Sequence, residues 1–128
     1  MKQEFKFRRW TGEEMVAVHK ITFDDDELIV YGGGVVHFAD SSTVMQYTGL
    51  KDKKGREIYE GDIVRTGKDN IGDPEPMIGQ VIMREGSWLI ENEKKQEAVD
   101  LFSEITSREV IGNIFENPEM LEADENDD

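Results

Sequence analysis

The sequence contains no cysteine, only 3 prolines and no long apolar run. Without thiols the chain has no disulfide, no cysteine nucleophile and no cysteine metal site. No stretch approaches the roughly 20 apolar residues that span a bilayer, and no apolar segment follows the charged N-terminus as a secretory signal requires. These absences predict a cytoplasmic protein that does not contact the membrane.

Basic residues are also scarce, since 15 lysines and arginines stand against 29 aspartates and glutamates, for a net charge of −14. The imbalance is concentrated in residues 91–128, where 13 acidic residues face only Lys94, Lys95 and Arg108. Neutralising phosphates supplies most of the non-specific affinity for nucleic acid, so a DNA-coating role is disfavoured. The acidic surface either keeps the protein soluble or meets a basic protein by imitating nucleic acid.

The 128 residues are enough for one ordinary domain with a single core. Short runs of alternating apolar and polar residues predict strands through most of the chain. We expect a single, mainly β domain over residues 1–121, with a β-meander subdomain over residues 1–40. Its architecture is predicted to be a partly open SH3-like barrel or a barrel-like sheet, and the acidic residues 122–128 are predicted to form a disordered tail.

One or two short helices are expected in the C-terminal third. Residues 92–105 place apolar side chains at the i, i+3, i+4 and i+7 positions of an amphipathic helix: Ala98, Leu101, Phe102 and Ile105. Asn117 followed by Pro118 has the chemistry of a helix N-cap and first position, which predicts a closing helical turn. Residues 66–77 are predicted to form a loop.

Glycine and aspartate mark the predicted turns. Asp52-Lys53-Lys54-Gly55 and Arg84-Glu85-Gly86 each predict a hairpin, because glycine accepts the positive φ that such loops need. Asp52 and Asp62 are expected to accept backbone N–H bonds at turns.

The candidate contact surface is a local basic cluster on the first of these hairpins, formed by Lys51, Lys53, Lys54 and Arg56. Two aromatic residues, Tyr47 and Tyr59, flank it in sequence. Basic groups beside aromatic rings bind single-stranded nucleic acid through phosphate contacts and base stacking. Hairpin tips are equally ordinary places for solvated lysines, and the charge of the whole chain opposes nucleic-acid binding.

No catalytic residue, cofactor site or metal site is predicted. The two histidines, His19 and His37, lie in separate predicted strands without metal-ligand spacing. The run Asp24–Glu27 lacks the glycine and the distal glutamate of an EF-hand loop. The chain also lacks a P-loop and a G-x-S-x-G elbow. A metal-dependent hydrolase would therefore need acidic residues that converge from distant parts of the chain.

Two segments resemble the YopX family of phage and prophage proteins. They are MQYTGLKDKKGREIYEGDIV at Met45–Val64 and VIGNIFENPEML at Val110–Leu121. The resemblance implies a small, mainly β, homo-oligomeric protein, encoded by a phage or prophage and acting in the bacterial cytoplasm. It implies no reaction and supplies no catalytic residues. The glycines, turn aspartates and β-branched residues of both segments have the composition of a scaffold.

Three functions follow, in order of preference. The first is a non-enzymatic accessory protein that associates with itself and binds a host or phage protein, with its acidic surface as the contact. The second is a single-stranded nucleic-acid-binding module that uses the basic hairpin 51–56. The third is a cryptic metal-dependent hydrolase.

Overall fold

The computed structural model describes residues 6–24, 27–32, 35–39, 43–67, 77–102 and 107–122. The chain divides into two compact units, Met1–Tyr47 and Thr48–Asp128. The predicted mainly β class is confirmed, because these ranges hold twelve strands and a 3₁₀ turn near the C-terminus. The described strands form open sheets, and none of these sheets closes into a barrel.

The first unit is built from five short strands and the first half of a sixth. These are β1 (Phe7–Trp10), β2 (Met15–Val18), β3 (Lys20–Asp24), β4 (Glu27–Gly32), β5 (Val35–Ala39) and the start of β6 (Val44–Lys51). Strand β1 pairs with β2 on one side and with β6 on the other, and β3, β4 and β5 form an antiparallel meander. Between β1 and β2, the Thr11 hydroxyl accepts the Glu14 N–H at 3.1 Å and closes the turn.

Apolar residues recur at alternate positions from Met15 to Phe23, a pattern typical of one strand, but the structure divides this segment at His19 into β2 and β3. The His19 N–H donates to the Tyr31 carbonyl oxygen at 2.7 Å, and the strand before it pairs with β1 while the strand after it pairs with β4. Alternation alone does not show this division, because the apolar pattern runs through the break. Val30 and Met45 are buried in this unit.

The second unit contains the rest of the strands. These are β7 (Glu57–Tyr59), β8 (Asp62–Gly67), β9 (Met77–Arg84), β10 (Ser87–Asn92), β11 (Glu97–Asp100) and β12 (Ser107–Asn113), followed by the 3₁₀ turn Pro118–Glu122. Five of them form an antiparallel sheet in the order β11-β10-β9-β8-β12, and β7 lies next to β6. The strands at the two edges of the five-stranded sheet are therefore β11 and β12.

One apolar cluster holds the second unit together. Its buried members are Ile58, Val64, Met77, Val81, Trp88, Ile90, Leu101 and Val110. Trp88 is buried in this cluster, as expected of a large aromatic residue in a strand. Burial of these side chains is the main stabilising contribution to the unit.

The helix predicted over residues 92–105 is wrong. Residues 93–96 form a turn, and Glu97–Asp100 forms strand β11 against β10. The buried Asn92 side chain fixes the turn, because its Nδ2 donates to the Ile78 carbonyl at 2.7 Å and its Oδ1 accepts the Lys95 N–H at 2.9 Å. The apolar positions do not share a face, since Leu101 is fully buried while Phe102 is 49% exposed.

Two other local predictions are confirmed. Glu85 and Gly86 have φ values of 52° and 84°, and they join β9 to β10 as a two-residue hairpin loop. The closing helical turn begins at Pro118, and the Met120 N–H donates to the Asn117 carbonyl oxygen at 3.0 Å. Helical structure near the C-terminus is thus a single 3₁₀ turn in the described part of the chain.

Some predictions fall on residues outside the described ranges. These include most of the loop 66–77, part of the acidic run Asp24–Glu27, and the tail after Glu122, which itself belongs to the 3₁₀ turn. No described helix is long and apolar enough to cross a membrane.

Candidate functional site

The basic cluster lies on a tight turn between β6 and β7, as the sequence predicts, and we call residues 51–56 the basic turn. Within it the Asp52 N–H donates to the Arg56 carbonyl oxygen at 2.8 Å, and the Gly55 N–H donates to the Asp52 carbonyl oxygen at 3.0 Å. Gly55 has a φ of 85°, which explains the glycine at this position. The four predicted contact residues Lys51, Lys53, Lys54 and Arg56 are all exposed.

The Asp52 carboxylate organises the basic turn from inside. Its Oδ1 accepts the backbone N–H groups of Lys54 and Arg56, both at 2.9 Å, and its Oδ2 accepts the Val110 N–H at 2.9 Å. Burial alone would raise the pKa of this carboxyl, but the three backbone hydrogen bonds and the charge of Arg56 hold its pKa below the ordinary value of 3.8. The predicted role of Asp52 at a turn is confirmed.

The basic turn also covers the outer edge of β12. The Lys53 N–H donates to the Arg108 carbonyl oxygen at 3.0 Å, and Arg56 Nη1 donates to the Val110 carbonyl oxygen at 3.2 Å. Together with the bond from Val110 N–H to Asp52, these contacts occupy the Arg108 carbonyl and both backbone groups of Val110, which β12 directs away from β8. An edge whose polar groups are occupied in this way is protected against pairing with another strand over these residues.

Glu109 binds two basic residues at this end of the unit. Lys54 Nζ lies 2.6 Å from Glu109 Oε2, and Arg65 Nη2 lies 3.1 Å from Glu109 Oε1. The hydrogen bond from Lys54 contributes most to holding the pKa of Glu109 below 4.5; burial opposes the shift, while the charges of Lys54 and Lys53 and a hydrogen bond from Arg65 support it. The cluster therefore contains a carboxylate that offsets part of its positive charge.

Arg65 is a member of this surface that sequence reasoning missed. It is 44 residues from Glu109 in the chain, and the two residues are opposite each other in the β8–β12 register. Neither residue stands near a recognisable motif, so only the strand pairing reveals the contact.

The two tyrosines near the cluster in sequence are not displayed as a stacking surface. Tyr47 is buried, with 7% of its surface exposed. Tyr59 is half-buried, and its hydroxyl donates to Glu57 Oε1 at 3.3 Å. Base stacking needs an accessible ring face. The exposed basic side chains of the turn are therefore better placed to contact phosphates than the two tyrosines are to stack on bases.

The second resembling segment also forms turns. Asn113 Oδ1 accepts the backbone N–H groups of Phe115 at 3.0 Å and Glu116 at 2.9 Å. A Cβ at Gly112 would lie 2.6 Å from Asn117 Oδ1, so any larger residue here would have to displace the Asn117 side chain. Asp62 makes the corresponding contact in the first segment, where its Oδ2 accepts the Tyr59 N–H at 2.8 Å. In both segments these side chains thus stabilise turns by hydrogen bonding to the backbone, as the scaffold-like composition suggests.

A second polar surface lies at the opposite edge of the five-stranded sheet. We call it the acidic edge and define it as residues 91–100, which comprise the end of β10, the turn and β11; they include four acidic and two basic residues. An open cavity of about 360 Å³ is found here. It is lined by Arg84, Glu91, Asn92, Glu93, Gln96, Glu97 and Ala98. Glu91 forms an ion pair with Arg84, whereas Glu93, Glu97 and Asp100 are exposed.

Metal-binding geometry is not evident in the described ranges, which contain no group of three or more histidine, aspartate or glutamate side chains placed to hold an ion. Of the two histidines, His19 is exposed beside β2, and His37 lies in β5.

Comparisons with known proteins show which family and which solved structures the chain is similar to. The family model described as YopX protein matches residues 6–122. The crystal structure of protein yopX from Bacillus subtilis is similar, with 22% identity, a TM-score of 0.60 and coverage of 89% of this chain and 95% of that chain. The crystal structure of protein EF1440 from Enterococcus faecalis is also similar, with 26% identity, a TM-score of 0.55 and coverage of 94% and 99%. No curated protein matches the sequence significantly.

The family match spans both of the segments on which the resemblance was based, and it extends through most of the strands of both units. The solved structures cover nearly the whole fold, so the likeness is not confined to one motif. The chain therefore belongs to the YopX family.

Proposed function

We propose that the protein is a non-enzymatic, phage-encoded accessory protein of the bacterial cytoplasm, which associates with itself and binds a basic protein partner through its acidic surface. The observation that carries this proposal is the contrast between the two edges of the five-stranded sheet. The basic turn covers the β12 edge, and three of its residues form hydrogen bonds with the β12 backbone. The β11 edge is exposed, acidic and next to an open cavity.

The charge of the chain supports a basic partner. The net charge is −14, and residues 122–128 add five acidic residues to those of the acidic edge. Such a field attracts cationic proteins and repels nucleic acid, and the attraction weakens as salt screens it.

The roles of the family-segment side chains support a non-enzymatic protein. Side-chain oxygens of Asp52, Asp62 and Asn113 accept backbone N–H groups in turns. A carboxylate that accepts several N–H bonds is stabilised in its charged form and is a poor proton carrier near neutral pH.

The interaction with a basic partner predicts a charge-selective loss of binding. The probe is a fluorescein-labelled, lysine-rich peptide, measured by anisotropy at low salt. Exchanging Glu93 and Glu97 for glutamine removes two exposed charges from the acidic edge. We expect the Kd to rise about tenfold, because attraction between these carboxylates and the lysines of the peptide stabilises the complex.

The matched control exchanges Glu13 and Glu14 for glutamine. Both residues are exposed in the first unit, so this variant has the same net charge without changing the acidic edge. We expect its affinity to stay within about twofold of the original, since long-range screening leaves only a weak general effect. Equal losses in both variants, or none in either, would contradict a partner site at the acidic edge.

Self-association forms a separate prediction. Exposed apolar side chains in the second unit support it: Phe102 is 49% exposed and Met83 is 45% exposed. Sedimentation velocity is expected to show a species heavier than the 14.7 kDa monomer. Exchanging Phe102 for serine is expected to weaken that species. Phe23 in the first unit is 80% exposed, so Phe23→Ser tests whether that unit also contributes to the association. A monomer at all concentrations would rule out this part of the proposal.

Single-stranded nucleic-acid binding by Lys51, Lys53, Lys54 and Arg56 is the alternative function. Exposure of the basic turn and the nearby Arg65 favour it. The ion pair from Lys54 to Glu109 and the burial of Tyr47 weaken it, because both reduce the groups that contact phosphates and bases. The acidic-edge proposal therefore has the stronger support.

A further inference from the structure

We propose that the β11 edge binds its partner by strand addition, with an extended, lysine-rich segment of that partner as the added strand. This inference rests on the proposed function and deepens it, because it specifies both the shape and the chemistry of the partner segment.

The first support comes from the direction of the backbone groups in β11. The Leu101 N–H donates to the Trp88 carbonyl oxygen at 3.1 Å, so this end of the strand pairs with β10. Direction alternates along an antiparallel strand. With Val99 opposite Ile90 and Glu97 opposite Asn92, the backbone N–H and C=O of Ala98 point away from β10.

The outer side of β11 is open in the described part of the chain. No described strand lies beyond it in the sheet order, and Glu97, Ala98 and Asp100 are exposed. At the other end of the sheet, the equivalent groups of β12 are occupied by the basic turn. An additional strand would therefore pair with β11 and not with β12.

Charge then selects the kind of strand. Two copies of β11 paired through their outward backbone groups would bring two acidic edges side by side, each with four acidic residues against two basic ones, and this juxtaposition of like charge opposes the pairing. A second copy is therefore a poor occupant. A segment with lysines at alternate positions would place cations beside Glu93 and Glu97.

The open cavity adds a place for one long side chain. It lies beside Ala98 and is lined by three glutamates: Glu91, which is paired with Arg84, and the exposed Glu93 and Glu97. A lysine stem fits such a cavity with its ammonium group near Glu93 and Glu97. Backbone pairing supplies affinity in this mode of recognition, and the side-chain site supplies selectivity.

The test uses a blocked peptide of about eight residues that alternates lysine and valine. Two further peptides have the same sequence with N-methyl groups on alternate backbone amides, one peptide for each phase. Both keep the charge, and the one whose methylated amides face β11 cannot donate the strand hydrogen bonds. We expect at least one N-methylated phase to bind about tenfold more weakly, and we expect the unmodified peptide to slow amide exchange at Ala98.

A protein variant provides the reciprocal test. Ala98→Pro removes the outward N–H, at an edge position where proline is compatible with a strand, and is expected to weaken binding of the unmodified peptide about tenfold. The control is Val99→Pro, where the lost N–H faces β10 and β11 itself should fray, while both carboxylates remain. Amide exchange at Leu101 in the free protein distinguishes the two variants, because β11 should remain paired only in Ala98→Pro.

The outcomes separate this inference from the function on which it rests. Unchanged binding of both N-methylated peptides, or an Ala98 amide that exchanges equally fast with and without peptide, overturns strand addition. If the Glu93 and Glu97 exchanges still weaken binding in that case, the acidic-edge function stands without it. Binding that ignores both carboxylates overturns the function and the inference together.

Discussion

Replacing Asp52 with alanine is expected to lower the free energy of unfolding by about 2–4 kcal/mol, because three backbone N–H groups lose a charged acceptor. The donors are Lys54, Arg56 and the buried Val110. Loss of the contact to Val110 also loosens the cover over β12. A loss of this size is a large part of the roughly 5–15 kcal/mol that stabilises a typical domain.

Urea unfolding followed by fluorine NMR gives the measurement. The chain has two tryptophans, with Trp10 in the first unit and Trp88 in the second, so 5-fluorotryptophan reports on the two units separately. We expect the Trp88 transition to move to lower urea concentration. Lys51→Ala, an exposed neighbour in the same turn, is the control and is expected to change the free energy by less than about 0.5 kcal/mol. A normal Trp88 transition in Asp52→Ala would refute the proposed role.

The same carboxylate predicts a pH dependence. Its pKa is depressed in the folded state, so the stability it contributes is present above the ordinary value of 3.8 and is lost as the pH falls through the lower, folded value. Asp52→Asn cannot lose a charge on acidification. We therefore expect the stability difference between the original chain and Asp52→Asn to shrink as the pH falls below about 4. A constant difference across this range would show that the charge is irrelevant.

Local turn chemistry is the part of this fold that the sequence predicts well. Gly55 and Gly86 adopt positive φ where the hairpin patterns place them, and Asp52 accepts the turn N–H groups as expected. These features depend on neighbouring residues only, so a short stretch of sequence contains the information.

The strand structure of the acidic edge could not be predicted from neighbouring residues alone. The apolar spacing of residues 92–105 favours a helix, yet Asn92 bonds to Ile78 in a distant strand and β10 offers a partner to residues 97–100. Tertiary pairing overrides a local helical pattern because it satisfies backbone groups and buries Leu101 at once. The cover over β12 likewise joins residues more than 50 positions apart, as in the bond from Val110 N–H to Asp52.

For the candidate site, the sequence identified the basic cluster but not its surroundings. Lys54 and Arg56 are exposed as expected, yet one pairs with Glu109 and the other bonds to the Val110 carbonyl. Both contacts arise from the strand order, which places β12 beside the turn. The acidic edge was visible only as a regional excess of charge, because its open backbone groups depend on β11 being a strand.

The second large effect is expected at Gly32, in the last position of β4. A Cβ built here would lie 2.1 Å from the Ala17 carbonyl oxygen and 3.3 Å from the Val18 Cα, both in the backbone of β2. Side-chain adjustment cannot relieve an overlap with backbone, so β2 must move away from β4. We expect Gly32→Ala to lower the free energy of unfolding by about 3 kcal/mol or more.

The control for this exchange is Gly67→Ala. Among the described residues, the Ser107 hydroxyl oxygen is the one atom within reach of a new Cβ at Gly67, at 4.0 Å, and the φ of Gly67 is outside the left-handed region. Its replacement is therefore expected to be neutral or stabilising by up to about 1 kcal/mol, because alanine restricts the unfolded chain more than glycine does. The Trp10 transition should respond to Gly32→Ala, since Trp10 lies in β1, the partner strand of β2. If both alanine variants unfold at the same urea concentration, the close approach of β2 and β4 does not stabilise the first unit.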